Sequence, residues 1–151
     1  MEEKQTNLAR MRAWIATFPG FDILGSFQCD YTDQIPASGG VFPAGLVEIS
    51  RTEDILGNVT VVNQYNFGLY YVFSKAPGDD GGATENADWI MEFQRWVQEQ
   101  SVRGLAPRFG NTDGPEIIRA QNGALYAAQD EGTATYMVAV SIQFTQFYEV
   151  I

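Results

Sequence analysis

The sequence predicts an α+β domain in which a mostly antiparallel sheet packs against two α-helices. Two stretches with a three-to-four apolar spacing read as helices, and two long alternating stretches read as half-buried strands. Their order is helix, strands, helix, strands, with no internal repeat or interdomain linker. The chain has 151 residues, 45% apolar and 13% aromatic, enough to build the core of a single domain spanning residues 1–151.

Between Asn7 and Phe18, the residues Leu8, Met11, Trp14, Ile15 and Phe18 share one helix face, and Pro19-Gly20 stops the pattern. Phe21 to Cys29 reads as a short strand. Asp30 to Gly45 holds Pro36, Gly39, Gly40, Pro43 and Gly45, which punctuate rather than propagate and predict an extended loop or loose hairpin. Val59 to Phe73 is the clearest strand: Val59, Val61, Tyr65, Phe67, Leu69, Tyr71 and Phe73 fall on one face, and only Asn63 interrupts it. At about 3.3 Å per residue this run reaches roughly 50 Å, so a bulge or bend is expected at Gly68.

Ala76 to Ala83 predicts a mobile acidic turn. A second helix is expected from Asn86, as its cap, to Arg103, with Trp89, Ile90, Phe93, Trp96 and Val97 on one stripe and Gly104 as the stop. The stripe places Trp14, Trp89 and Trp96 in the core rather than on a ligand-stacking platform. Ile117 to Gln121 and Ala124 to Gln129 flank Asn122-Gly123, a hairpin signal. After a turn at Gly132, Ala134 to Tyr148 alternates Tyr136, Val138, Val140, Ile142 and Phe144 against polar residues, forming a second long strand.

The charge balance is 9 basic residues against 19 acidic ones, a net charge of -10, which opposes a general duplex-binding surface. The chain contains no histidine, so imidazole acid/base chemistry and His-activated nucleophiles are excluded. Its single cysteine, Cys29, has no internal disulfide partner and no neighbouring cation, and reads as a small apolar residue. No apolar run is long enough for a bilayer crossing, so a soluble protein is expected. Asp79 and Asp80 lack the alternating spacing of a calcium loop and read as a solvated turn, while Asp30 and Asp33 read as turn or surface residues. No cofactor or metal is expected, and no catalysis.

Several ordered strings are distinctive: Thr17-Phe18-Pro19-Gly20, Val41-Phe42-Pro43-Ala44-Gly45-Leu46, Asp54-Ile55-Leu56-Gly57-Asn58-Val59-Thr60, Phe93-Gln94-Arg95-Trp96-Val97, Gly104-Leu105-Ala106-Pro107-Arg108-Phe109-Gly110 and Gly132-Thr133-Ala134-Thr135-Tyr136. With them the chain resembles, over nearly its whole length, a family of small proteins of tailed phages and prophages known as minor capsid proteins. The order of elements also resembles phage tail terminators. That resemblance implies a hexameric ring of this chain in the virion, contacting the tail tube protein and the head-tail connector, with DNA passing through a channel without specific binding. A neck or minor capsid protein at the portal is the alternative within this class; a small-molecule-binding domain is the alternative from another.

For assembly, the expected contacts are Pro36, Gly40, Phe42 and Pro43 in the loop ending at Gly45, Asp79 and Asp80 in the acidic turn, and the basic group Arg103, Arg108 and Arg119. Exposed ends of the two long strands complete the expected surface.

Overall fold

The computed structural model describes residues 6–24, 26–29, 38–74, 80–113, 116–129 and 133–150. The first helix, α1 (Asn7–Ile15), is capped by Thr6, whose Oγ1 accepts from the Ala9 amide at 3.1 Å. It buries Met11, Trp14 and Ile15. It ends three residues before the expected Phe18, because Phe18 precedes Pro19 and adopts an extended conformation. The Thr17 hydroxyl donates to the Trp14 carbonyl at 2.6 Å and closes the turn. Pro19 then opens a 3-10 turn, Pro19–Ile23, so the expected strand from Phe21 shortens to β1 (Ser26–Cys29).

Four longer strands follow the short one: β2 (Ser38–Glu53), β3 (Val59–Ser74), β4 (Ile117–Gln129) and β5 (Thr133–Tyr148). They form one sheet in the order β1-β2-β3-β5-β4, in which β1 runs parallel to β2 and all other pairs are antiparallel. The loop expected up to Gly45 is therefore strand from Ser38 onward. Pro43 and Gly45 are tolerated because β1 pairs only with Ser38–Val41, and a proline costs a ladder bond only where a partner exists; Gly39 and Gly40 lie where β2 is paired on both sides, with β1 and with Tyr71 and Tyr70 of β3.

The bend expected at Gly68 falls elsewhere. Gly68 stays in register with Phe42 on one side and Ala139 on the other, while the bulges interrupt β2 between Pro43 and Gly45 and between Glu48 and Ser50. An extra residue in central β3 would break two ladders; in β2 it breaks one. Gly45, at φ 113, provides the backbone conformation the first bulge needs.

The second helix, α2 (Asp80–Val102), starts six residues before Asn86, so Asp80 to Ala83 form its first turn and Asn86 is interior rather than a cap. Each glycine at a helical position costs about 1 kcal/mol against alanine, which is why Gly81-Gly82 reads as a turn. Its end is as expected. Gly104 has φ 70, and the amides of Gly104 and Leu105 donate to the carbonyls of Ser101 and Gln100 at 3.2 and 2.9 Å, a Schellman closure.

Asn122-Gly123 is not a hairpin turn. β4 runs through it with register shifts after Gln121 and Leu125, and the β4–β5 connection lies at residues 130–132, outside the described residues. Gly123 is needed for close approach instead: a Cβ there would meet the Gln94 side chain and, at 2.8 Å, Ile90 Cγ2 of α2. Gln94 also donates to the Ala120 carbonyl at 3.4 Å.

Both helices pack on one face of the sheet, through Phe67, Leu69, Tyr71 and Phe73 of β3 and alternate residues of β5. The aromatic residues interlock. Trp14 stacks on Trp96 at 4.7 Å, Phe18 meets Phe93 edge-on at 5.3 Å, and Trp89 meets Tyr71 at 4.7 Å while donating its indole N–H to the Gly20 carbonyl at 3.1 Å. Asn63, the one polar break in the β3 stripe, is buried on the same face.

Gly123→Ala is expected to lose about 1–3 kcal/mol of stability through overpacking. Adding Gln94→Ala should recover part of that loss in urea titrations, and strict additivity would show that the two side chains do not meet. Burial pushes the phenol of Tyr71 well above its ordinary range, and that of Tyr136 upward as well. The unfolded chain releases these protons near pH 10 while the folded chain keeps them, so stability should be full below about pH 10 and fall as pH rises further. Denaturation midpoints measured from about pH 9 to about pH 11 should fall less steeply in Tyr71→Phe; an unchanged slope would exclude Tyr71 as the cause.

Candidate assembly surface

A strand at the edge of a sheet presents unpaired N–H and C=O groups, and this sheet has two such edges. From Phe42 to Glu53 the outer side of β2 has no partner among the described residues, because β1 stops opposite Val41. On the other side β4 is the terminal strand. Beyond the helices, β2 and β3, with β5 still paired along β3 as far as Val59, continue to the end of the sheet as an arm closed by the β2–β3 turn, with Leu46, Val47 and Ile49 exposed.

The arm closes through Asp54, whose Oδ1 accepts from the amides of Leu56 and Asn58 at 2.9 and 3.0 Å. Gly57, at φ 88, completes the turn. This rigid closure holds the tip residues outward: Ile55 is 102% exposed and Leu56 77%. Asn58 is itself tied down, accepting from the Val150 amide at 3.0 Å.

At the opposite edge, α2 and β4 enclose a cleft lined by Gln94, Gln98, Ser101, Val102, Ile117 and Arg119, among others. Val102, at 82% exposure, and Ile117 give it an apolar lip. Its floor is fixed where Ser101 Oγ accepts from the Ile118 amide at 3.1 Å.

Between cleft and arm, the segment after α2 covers sheet that neither helix reaches. Phe109 packs edge-on against Phe67 and Phe144 at 6.1 and 5.6 Å. Buried Glu116 holds this segment: its Oε1 accepts from the amides of Phe109 and Gly110 at 3.0 Å, and its Oε2 from Phe109 at 2.8 Å. Asn111 pairs with β5 as a strand would, accepting from the Phe147 amide at 2.7 Å and donating to its carbonyl at 2.9 Å.

The expected contact residues separate. Pro36 and Asp79 lie outside the described residues, as do Asp30 and Asp33. Gly40 is buried within β2 opposite Tyr70, so it is not a surface contact; residues in a paired strand interior face neighbours on both sides. Phe42 is half-buried with its ring edge-on to Tyr70 at 4.9 Å, and Pro43 is half-buried opposite Phe67, both where the open edge of β2 begins. Asp80 belongs to the first turn of α2 rather than to a loop.

The three arginines do not act as one group. Arg103 pairs with Glu99 at 2.8 Å, and Arg108 donates to the Thr112 carbonyl at 2.8 Å. Arg119 lines the cleft, exposed and without an ion pair among the described residues. Sequence reasoning missed the arm as a strand. Its signal was present in Val47 and Ile49 alternating with Glu48 and Ser50, followed by the Asp54…Gly57 turn.

Among the described residues no group of three or more metal-ligating side chains comes together, and no helix is long and apolar enough to cross a membrane. Neither the known protein-family models nor the curated proteins give a match to this chain.

Glu116→Gln should release the segment over Phe67 and Phe144 and lower stability by about 1–3 kcal/mol, as expected when charge-assisted bonds to buried amides are lost. Hydrogen exchange should localise the change to residues 109–112 and the end of β5; protection unchanged there would assign Glu116 no such role.

Proposed function

We propose that this chain is a non-catalytic structural protein of a tailed-phage virion, a tail terminator that assembles as a hexameric ring, ends the tail tube and joins it to the head connector. The observation that carries this reading is the pair of open sheet edges together with an arm that holds Ile55 and Leu56 in solvent. Such features are liabilities in a permanent monomer and are satisfied when identical chains meet edge to edge around an axis. The ordered strings along the chain, from Thr17-Phe18-Pro19-Gly20 to Gly132-Thr133-Ala134-Thr135-Tyr136, support the phage assignment by resemblance.

The acidic excess, 19 carboxylates against 9 basic residues, fits the same role. Carboxylates facing a central channel repel the phosphate backbone, so DNA slides through without being retained. The ring contacts the tail tube protein on one side and the head connector on the other.

Light scattering on the purified chain is expected to give a closed oligomer of about six copies, the count the terminator resemblance implies, and antibody labelling should place the chain at the head-tail junction of purified particles. A monomer at every concentration, absent from particles, would overturn the proposal. Labelling at the portal of filled heads without tails would assign the chain to the neck instead, and stabilisation by a small metabolite in a melting screen would point to the ligand-binding class.

A further inference from the structure

We propose that the arm tip of one chain seats in the α2–β4 cleft of the next, Ile55 and Leu56 against the apolar lip formed by Val102 and Ile117, and Glu53 against Arg119. The proposal deepens the ring reading and rests on it for the existence of self-association.

Chemical complementarity selects a second copy as the occupant. The tip carries two neighbouring carboxylates, Glu53 and Asp54, followed by two exposed branched apolar residues, with no basic residue from Thr52 to Asn58. Among the described residues, those lining the cleft include one cation, Arg119, three glutamines, Val102 and Ile117, and no carboxylate. In a chain with 19 acidic residues and 9 basic ones, a cleft whose described lining holds an exposed arginine and no carboxylate suits an acidic, apolar insert. The cleft volume, about 420 Å³, admits branched side chains.

Placement excludes the chain's own tip. The arm is fixed in the sheet, with Glu53 opposite Val59 and Val59 opposite Tyr148. The cleft flanks Ile117, opposite Gln143, on the far side of β3 and β5. The tip thus lies at one end of the sheet and the cleft beside the middle of β5 on the opposite edge, and a pairing between them is head-to-tail. Repetition of that pairing closes a ring when its rotation divides a full turn, the case the ring reading requires.

The test uses the full chain in light scattering and sedimentation. Leu56→Asp and Arg119→Glu alter exposed side chains, so both variants are expected to keep the wild-type melting curve, and each should weaken self-association by about tenfold or more. If Leu56→Asp disturbs folding, Leu56→Gln serves with the same expected direction. Glu53→Arg combined with Arg119→Glu should restore assembly. Mixing the Leu56→Asp and Arg119→Glu variants, each with one intact half, should give complexes that stop at two chains.

A wild-type oligomer unaffected by either substitution would overturn the knob-in-cleft contact and leave the ring standing. A wild-type chain that is monomeric throughout would overturn both. Loss of assembly in Arg119→Glu that adding Glu53→Arg does not restore would overturn the Glu53–Arg119 pairing.

Discussion

The rest of the structure depends on a mismatch of lengths. β3 and β5 each run for 16 residues, roughly 53 Å at 3.3 Å per residue. α2 has 23 residues, which at 1.5 Å per residue spans roughly 35 Å, and α1 with 9 residues spans about 14 Å. Helices of these lengths cannot cover such strands from end to end. The aromatic core therefore collects where Trp14, Trp89, Phe93 and Trp96 lie over Leu69, Tyr71 and Phe73, and the other end of the sheet must be managed differently.

Part of that end is covered by a segment without regular structure. Phe109 supplies the apolar cover over Phe67 and Phe144, and Glu116 supplies acceptors for the amides a helix would have satisfied internally. A buried carboxylate is costly unless its lone pairs are used, and here three amide contacts use them. Asn111 extends the repair by standing in for strand β4 beside Phe147. Gly110 permits this approach, because a Cβ at that position would collide with the Thr145 carbonyl. Past this repair β2 is exposed among the described residues, and the arm begins.

The sequence made the periodic elements legible and the edge elements illegible, for a physical reason. In β3, β5 and α2 the apolar period reports a continuous buried face, so Val59 to Phe73, Ala134 to Tyr148 and the Trp89-to-Val97 stripe were readable almost to the residue. In β2 and β4 the strands carry Pro43, Gly45 and Asn122-Gly123, residues that break interior strands but are tolerated where only one ladder is at stake, whereas Gly39 and Gly40 sit in the doubly paired start of β2, where composition alone reads as punctuation. Gly123 shows the ambiguity most clearly: the same glycine that opens a turn also lets a helix approach a strand, and only the position of Gln94 and Ile90 distinguishes the two. The candidate surface suffered more, since an arm is defined by what fails to cover it. Arg119 was identified, but its difference from Arg103 and Arg108 is a matter of partners brought from elsewhere in the chain.

An arm of this kind poses a solubility problem, and the chain answers it locally as well as globally. The open edge of β2 carries Glu48, Arg51 and Glu53, with Arg51 bridged to Glu48 at 2.8 Å. Exposed ion pairs of this type add little stability, about 0.2–1 kcal/mol. Their effect on an edge is to burden indiscriminate pairing, since a partner strand must accommodate charges at fixed positions, and the two bulges further limit the length of flat ladder offered. The net charge of -10 adds repulsion between chains that meet in any arrangement lacking a compensating cation. In the proposed ring, association then requires a contact that places an acidic, apolar tip against an uncommitted arginine. The same charge that keeps separate chains apart selects the one orientation in which they join.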